Sequence, residues 1–143
     1  MKLSVVITTY NAEEWLRKVL YGYSVQTDLD FELVIADDGS SVATKKVLKE
    51  FSSKFKYPII HVWQPDEGFQ KCKILNKAIL KTNSDYLIFT DGDCIPRKDF
   101  VEKHLKNKEK GYFLSGGYFK LPMFTSNSIS PLEIENGDCF SIK

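Results

Sequence analysis

The sequence has few cysteines, and their spacing fits neither a disulfide scaffold nor a zinc site. Cys72, Cys94 and Cys139 are an odd number, with no Cys-x-x-Cys pair and no cluster of cysteine with histidine. Disulfide frameworks and structural zinc sites use paired or clustered cysteines. Their absence disfavours both kinds of site and is typical of a protein in a reducing compartment.

Long apolar runs and a strong net charge are also missing. No apolar run approaches the roughly 20 residues of a membrane span, and the run at residues 3–8 is too short for a signal peptide. The net charge of +1 creates no field that would attract nucleic acid or an anionic membrane. We therefore expect a cytoplasmic protein with no nucleic-acid partner. A membrane anchor beyond Lys143, which would bring the full-length protein to the inner face of the membrane by peripheral contact, stays open.

The sequence lacks the glycine-rich loops that many nucleotide-binding enzymes place after their first strand. It contains no GxGxxG, GKS or GKT string. Such loops hold the phosphates of dinucleotides and nucleoside triphosphates through backbone N–H groups. Their absence disfavours dinucleotide-dependent dehydrogenases, P-loop enzymes and nucleotidyltransferases.

The sequence does contain a regular alternation of β-rich and helical segments. Its 143 residues, 43% apolar and 27% charged, are typical of one soluble globular domain. Predicted strands cover residues 3–8, 31–36, 58–63, 85–90 and 112–121. Predicted helices are one capped by Asn11, one at 42–51 capped by Ser40, one that includes Phe69 and ends near Ile79, and one from Pro96 to 107; residues 126–131 are predicted as loop. This alternation predicts an α/β fold with an open, mainly parallel sheet and helices on both faces.

Polar side chains follow three of the predicted strands at the point where each strand ends. Thr8 and Tyr10 follow the first strand, Asp37 and Asp38 the second, and residues 91–93 the fourth. In open parallel sheets, ligands bind at the carboxyl ends of the strands. The three motifs therefore predict one binding site at this edge of the sheet.

The Asp91-Gly92-Asp93 motif is the strongest chemical feature of the sequence. Two neighbouring carboxylates repel each other unless a cation lies beside them. Mg²⁺ and Mn²⁺ prefer oxygen ligands, and Mg²⁺ commonly combines one or two carboxylates with substrate phosphates. Gly92 permits a tight turn and a close approach of a ligand. An ordinary Asp-Gly turn is the alternative that the motif by itself leaves open.

Further candidates for nucleotide binding are Tyr10, Asp38, Lys71 and Lys73. An acidic residue after the second strand often receives polar groups of a ribose, and a tyrosine ring can pack against a base. Lys71 and Lys73 lie near a predicted helix start, where their ammonium groups can meet a diphosphate. Turns, caps and solvated helix faces are the alternatives. His61 is predicted as a strand residue without a catalytic role.

These motifs, in this order, resemble the family 2 glycosyltransferases, which have the GT-A fold. The matching segments are 4–11 (SVVITTYN), 31–40 (FELVIADDGS) and 86–96 (YLIFTDGDCIP). The stretch 66–69 (DEGF) is similar to the donor-binding domains of chondroitin-polymerase-type enzymes. The resemblance extends to about residue 121. We therefore expect a Rossmann-like nucleotide-sugar-binding core at 1–121, and the start of a truncated acceptor-side region at 122–143.

The resemblance implies roles for individual residues. Thr8, Tyr10 and Asp38 match the positions that hold the base and ribose. Asp93 matches a metal ligand, and Asp91 matches a residue that contacts ribose or metal-bound water. The implied activity is an inverting transfer of a sugar from a nucleotide-sugar, UDP-linked in our interpretation, to a saccharide or lipid-linked acceptor, with Mg²⁺ or Mn²⁺ as cofactor. A non-catalytic nucleotide-sugar-binding module is the alternative.

The sequence departs from the family pattern at two positions. Leu75-Asn76 stands where relatives often have an Arg-Asn pair, and Thr8 stands where many have proline. The resemblance also implies that the catalytic base lies well after the metal motif. We expect it beyond Lys143, rather than among the carboxylates of the tail, which are Glu133, Glu135 and Asp138.

Overall fold

The structure, a computed structural model, describes residues 2–141, in which strands alternate with helices. The strands are β1 (Leu3–Thr9), β2 (Phe31–Asp37), β3 (Ile59–Trp63) and β4 (Leu87–Asp91). The helices are α1 (Glu13–Ser24), α2 (Val42–Ser52), α3 (Lys71–Ile79), α4 (Phe100–Asn107), α5 (Met123–Ser128) and α6 (Pro131–Asn136), followed by a short 3-10 helix at Asp138–Phe140. Over this part of the chain, no helix combines the length and apolarity that a bilayer crossing requires.

The sheet is parallel throughout, with the strand order β3-β2-β1-β4. Because β1 lies between β2 and β4, its carboxyl end meets the carboxyl ends of both neighbours. Thr8 stands opposite Ala36 on β2 and Asp91 on β4, and Thr9 stands opposite Asp37. The open parallel sheet predicted from the sequence is confirmed.

Helices cover both faces of the sheet, because successive strand side chains point to opposite faces and each face of β1 and β2 carries buried apolar residues. One core joins these strands to α1 and α2 through the fully buried side chains Val5, Ile7, Leu16, Leu20 and Phe51. A second core joins them to α3 through Val6, Val34, Ile74 and Ala78. Each large apolar side chain buried in this way contributes about 1.5–3 kcal/mol.

A buried carboxylate anchors the amino end of the sheet, opposite the predicted site. Glu32 on β2 is 1% exposed. One carboxylate oxygen accepts hydrogen bonds from the Ser4 hydroxyl at 2.6 Å and the Asn83 backbone N–H at 2.7 Å, and the other accepts from the Asn83 side-chain amide at 3.0 Å. Burial opposes ionisation, but these hydrogen bonds outweigh it and lower the pKa of Glu32. Glu32 therefore ties β2 to β1 and to the turn before β4.

Residues 112–121, predicted as a strand, are irregular in the structure, so this prediction is wrong. Residues 112–120 are all exposed, with Tyr112 72% and Phe119 87% exposed. Gly116 and Gly117 interrupt it and supply no side chain to pack against a neighbour. An extended segment becomes a strand only when another strand pairs with its backbone, and the alternation of residue types does not report whether a partner is present.

Residues 126–131, predicted as loop, contain the end of α5 and the start of α6, so this prediction is also wrong. α6 begins with a capping box, in which the Ser130 and Glu133 side chains each accept a hydrogen bond from the backbone N–H of the other. Pro131 occupies the first helical turn, where its missing N–H costs nothing. The Ser-Pro-Leu-Glu string carried this signal, which a search for helical periodicity misses in so short a helix.

The predicted caps of α1 and α2 are displaced by one residue. Asn11 does not cap α1, whose N-terminal flanking residue is Ala12. Asn11 instead has a positive φ of 42°, and its side-chain oxygen accepts the Ser41 N–H at 2.9 Å. Ser41, rather than Ser40, caps α2. Asn11 therefore links the end of β1 to the start of α2.

The helices α3 and α4 begin later than predicted. α3 begins at Lys71, so Phe69 lies in the preceding loop. α4 begins at Phe100, and Pro96 lies before it. The Pro96 ring packs so closely against Gly22 of α1 that a Cβ at Gly22 would lie 2.7 Å from it. Pro96 therefore serves the contact with α1 rather than the first turn of a helix.

We expect Glu32→Gln to lower the free energy of unfolding by about 1–3 kcal/mol at neutral pH, because its amide group would face donors from Ser4 and Asn83. Because the pKa of Glu32 is depressed, its contribution is present above the unfolded value near 4.5 and is lost as pH falls through the folded value. Urea unfolding of both proteins across a pH series measures the difference, which should shrink in acid.

Glu50→Gln is the matched control, since Glu50 is an exposed carboxylate that pairs with Arg17 at 2.7 Å. Its effect should be much smaller than that of Glu32→Gln, because exposed ion pairs contribute little to stability. A Glu32→Gln effect no larger than that of the control, or one that is unchanged in acid, contradicts the anchoring role.

Candidate functional site

A cavity of about 400 Å³ lies at the carboxyl ends of β1, β2 and β4. That volume is within the range of about 300–1,000 Å³ typical of small-molecule sites. The predicted site residues that line the cavity are Thr8, Tyr10, Asp38, Lys71, Asp91 and Asp93. The three strand-end motifs therefore meet at one place.

A close backbone contact holds the Asp91-Gly92-Asp93 motif, called the metal-type motif below, beside the end of β1. The Gly92 N–H donates to the Thr8 carbonyl oxygen at 2.8 Å. A Cβ at Gly92 would lie 2.7 Å from that oxygen, so only glycine permits this approach. The contact places Asp91 and Asp93 on either side of a buried glycine at the cavity wall. Glycine is therefore required at position 92 by the close approach to Thr8, and not only by the geometry of an ordinary turn.

Asp91 is held by two donors on the same oxygen. Its Oδ1 accepts from the Thr8 hydroxyl at 2.8 Å and from the Lys71 ammonium at 2.6 Å. The hydrogen bond from Lys71, and then that from Thr8, lower the pKa of Asp91. Asp91 is therefore a fully charged carboxylate at neutral pH, with its side chain 56% exposed.

Asp93 is the less constrained carboxylate of the pair. Its side chain is exposed, and it accepts a weak hydrogen bond from the Cys94 thiol, with Sγ and Oδ1 3.6 Å apart. Within residues 2–141, neither Asp93 nor Oδ2 of Asp91 accepts a hydrogen bond from nitrogen or an ammonium group. These open carboxylate oxygens fit Mg²⁺ or Mn²⁺. Because no cluster of three or more ligating side chains exists in the described part of the chain, such a cation would need phosphate and water oxygens as well.

Asp38 positions the loop that precedes α3. It is 7% exposed, and its Oδ1 accepts from the Gln64 side-chain amide at 2.6 Å. Its Oδ2 accepts from the Gln70 backbone N–H at 2.8 Å. A carboxylate oxygen has two lone pairs, so Asp38 retains capacity for a further donor from the cavity. Sequence reasoning predicted its place at the site but not these loop contacts.

Asp37, the neighbour of Asp38, has a structural role. It is fully buried, and its two oxygens accept from the Ser40 N–H at 2.8 Å and contact Nε2 of His61 at 2.8 Å. Burial opposes ionisation of Asp37, but the hydrogen bonds from His61 and Ser40 outweigh it and lower its pKa. His61 is a strand residue on β3, as predicted; its contact with Asp37 was not predictable from sequence spacing.

Tyr10 stands at the rim of the cavity with its ring half exposed. Its hydroxyl donates to Oδ2 of Asp66 at 2.8 Å, and this hydrogen bond raises the pKa of Tyr10. Asp66 also packs against Gly39, which has φ 98° and would place a Cβ 2.6 Å from the Asp66 Cα. Only glycine fits this position, so the turn after β2 and the loop before α3 are held together.

The two candidate lysines lie in different surroundings. Lys71 lines the cavity and contacts Asp91. Lys73 is exposed, lies outside the cavity lining and pairs with Glu67 at 3.0 Å. The structure therefore brings Lys71, and not Lys73, together with the other candidates.

Two aromatic side chains line the cavity but were not predicted as site residues from the sequence. They are Trp15 on α1 and Phe69 in the loop before α3, and Phe69 is 89% exposed. Both fall within helices predicted from the sequence, which gave neither of them a role in binding. A large exposed apolar side chain beside a cavity is a signal of ligand contact that only the folded chain reveals.

Comparison with known proteins adds a family to this geometry. Residues 4–129 match the family model described as Glycosyl transferase family 2. The chain is 34% identical over 110 residues to an uncharacterized glycosyltransferase, YfnE, of Bacillus subtilis, covering 76% of this chain and 27% of that protein. It is 32% identical over 105 residues to chondroitin synthase of Escherichia coli, covering 73% of this chain and 15% of that protein. The resemblance to chondroitin-polymerase-type enzymes is thereby confirmed.

Solved structures show the same fold. The crystal structure of S. aureus TarS 1-349 in complex with UDP-GlcNAc has a TM-score of 0.63 at 24% identity, covering 74% of this chain and 30% of that chain. The mannosyltransferase PcManGT from Pyrobaculum calidifontis, in complex with GDP-Man and Mn2+, has a TM-score of 0.66 at 22% identity, covering 73% of this chain and 31% of that chain. At these identities the likeness concerns the fold alone.

The chain spans about a quarter or less of the curated relatives described above. Within that span, the match to the family model includes all three strand-end motifs, from Ser4 at the start of β1 past Asp93. The family match therefore covers the part of the chain that builds the cavity. The chain belongs to glycosyl transferase family 2.

Proposed function

We propose that this chain is the donor-binding part of an inverting glycosyltransferase that takes its sugar from a UDP-sugar. The observation that carries the proposal is the convergence of Thr8, Lys71, Asp91 and Asp93 on one cavity at the carboxyl ends of a parallel sheet. A nucleotide-sugar has a flat base, a ribose and a charged diphosphate. The cavity offers an aromatic rim, hydroxyl and carboxylate acceptors, and an ammonium group for these parts.

The base and ribose would lie toward the end of β1 and β2. The half-exposed ring of Tyr10 offers an apolar face to a base. Asp38 keeps lone pairs for a donor of the base or ribose, and its contacts with Gln64 and Gln70 fix its direction. The Thr8 hydroxyl, which donates to Asp91, would lie between the base and ribose on one side and the metal-type motif on the other.

The diphosphate would lie toward Lys71 and the pair Asp91 and Asp93. We propose Mg²⁺ or Mn²⁺ as the cofactor held by these carboxylates; when bound, such a cation neutralises charge that develops on the departing diphosphate. Support comes from the open carboxylate oxygens on the cavity wall, and from the Mn2+ in the complex of the mannosyltransferase PcManGT. Lys71 adds a positive charge of the chain's own at the same wall.

The catalytic base is proposed to lie outside the described residues. In an inverting transfer, an acceptor oxygen bonds to the anomeric carbon as the bond to the diphosphate breaks, and a base takes the acceptor proton. Among the described residues, the cavity lining includes none that follows Asp93. Glu133 is engaged in the capping box of α6. We therefore expect the isolated chain to bind the donor but to transfer the sugar poorly. In isolation it would then behave like the alternative stated above, a nucleotide-sugar-binding module without catalysis of its own.

Several broader expectations stay proposals for the full-length protein. We propose a saccharide or lipid-linked acceptor and no nucleic-acid partner. We also propose a cytoplasmic location, at the inner face of the membrane if the full-length protein carries an anchor. The division into a donor-binding core at 1–121 and the start of an acceptor-side region at 122–143 stays a prediction. A role in building saccharides is consistent with the relative named chondroitin synthase. The UDP-GlcNAc bound in the solved structure of TarS is consistent with a nucleotide-sugar donor.

We expect Mn²⁺ to raise the UDP affinity of the parent chain at least about tenfold, and Asp93→Asn to remove this gain. The reason is that an amide is a much weaker ligand than a carboxylate for a hard cation. Calorimetric titration with UDP, with and without Mn²⁺, measures this. Asp85→Asn is the matched control, since Asp85 is an exposed carboxylate near the amino end of β4. If Asp93→Asn keeps the full gain from Mn²⁺, the metal role is contradicted. GDP in place of UDP tests the choice of base.

We expect Tyr10→Ala to weaken UDP binding by about 1–3 kcal/mol, the usual contribution of an aromatic ring stacked on a base. Tyr10→Phe should bind UDP nearly as well as the parent, because it keeps the ring and loses only an exposed hydrogen bond to Asp66. The same titration compares the two variants. Equal losses in both would show that the hydroxyl, rather than the ring face, contributes to binding.

A further inference from the structure

Carboxylates outnumber ammonium groups at the cavity. Among the described residues that line it, the acidic side chains are Asp38, Asp66, Asp91 and Asp93, and Lys71 is the one cationic side chain. A nucleoside diphosphate brings further negative charge to this place. Binding it therefore requires positive charge, of which the chain supplies one ammonium group.

That ammonium group is already engaged. Lys71 Nζ lies 2.6 Å from Oδ1 of Asp91, on the carboxylate that the metal-type motif directs into the cavity. Thr8 donates to the same oxygen. An ammonium group and a divalent cation repel each other at such distances. Each therefore weakens the binding of the other to the Asp91 carboxylate.

The ion pair is also easy to exchange. The side chains of Lys71 and Asp91 are 38% and 56% exposed. Ion pairs with this much solvent contact contribute little to stability, so breaking one has only a small effect on the fold. Lys71 is the first residue of α3, and its long, flexible side chain can change partners within the cavity without movement of the helix.

We propose that Lys71 is an exchangeable counter-ion, which holds Asp91 in the nucleotide-free chain and moves to the diphosphate when a nucleotide and a divalent cation bind together. The inference rests on the proposed function and deepens it, since it concerns the order in which the same site fills. Lys71 competes with a free cation for Asp91. Once a diphosphate is present, Lys71 has a better partner and releases the carboxylate. Cation and nucleotide therefore each strengthen the binding of the other.

Mn²⁺ binding to the purified chain, followed by the electron paramagnetic resonance signal of the free ion, tests the competition without nucleotide. Lys71→Met removes the ammonium group and keeps the length of the side chain. We expect it to bind Mn²⁺ about three- to tenfold more tightly than the parent chain. Lys71→Arg keeps the charge and should bind as weakly as the parent.

Lys77→Met is the charge-matched control, because Lys77 is an exposed lysine in the last turn of the same helix. It should change Mn²⁺ affinity by less than about twofold, since a distant exposed charge is screened. A second series at saturating UDP measures the coupling. The gain in Mn²⁺ affinity on adding UDP should be large for the parent chain and several-fold smaller for Lys71→Met.

The outcomes separate this inference from the proposed function. Tighter Mn²⁺ binding by Lys71→Met, with no UDP binding by any variant, would support the competition and contradict the proposed donor. Metal-dependent UDP binding by the parent, with Lys71→Met no tighter for free Mn²⁺ than Lys77→Met, would overturn the exchange and leave the donor assignment. Absence of Mn²⁺ binding by every variant, with or without UDP, would overturn both the exchange and the metal site.

Discussion

The parallel register of β1 between β2 and β4 is the constraint on which the rest of the site depends. It sets Thr8 opposite Asp91, and Thr9 opposite Asp37, so that three strand ends reach the same edge of the sheet. The register is in turn held by apolar side chains on both faces of the two central strands. A shift by one residue would exchange the side chains of the two faces and disrupt the packing of both cores, so packing and site geometry are determined together.

This convergence crowds carboxylates at one edge, and the chain compensates them in different ways. Asp37 is buried and satisfied by Ser40 and His61. Asp38 is nearly buried and satisfied by side-chain and backbone donors of the loop before α3. Only Asp91 and Asp93 of these four are exposed. The two inner carboxylates hold the site in shape, and the two outer ones are accessible from the cavity.

Glycine enters this arrangement where main chains come close. Gly92 allows the metal-type motif to approach β1, and Gly39 allows the loop before α3 to approach the turn after β2. At Gly39 the positive φ of 98° adds a second reason, because other residues rarely adopt it. Both glycines therefore allow segments that carry cavity-lining residues to come close together.

The central strands and the strand-end motifs were predictable because their signals are local. Buried β-branched runs identify β1 and β2, and polar residues directly after them identify the edge where ligands bind. The contacts that decide the roles are not local. The pairing of His61 with Asp37, and of Lys71 with Asp91, joins residues 24 and 20 positions apart, and spacing does not report such contacts.

The wrong predictions have a related cause. The strand predicted at 112–121 had suitable residue types but no neighbouring strand with which to pair among the described residues. The start of α6 was overlooked because six residues are too few for a periodic pattern, although Ser130, Pro131 and Glu133 carry a capping signal. Pairing partners and caps have to be judged separately from the alternation of apolar residues.

The central claim is that a nucleotide binds where the three strand ends meet. Amide correlation spectra of the isotopically labelled chain, titrated with UDP in the presence of Mg²⁺, test it most directly, because each backbone N–H reports its own surroundings. We predict that the largest shifts fall on the ends of β1, β2 and β4 and on the loop before α3, with the amino end of the sheet around Glu32 unchanged. Shifts concentrated at the amino end of the sheet or on α2, or no shifts at millimolar UDP, would contradict it.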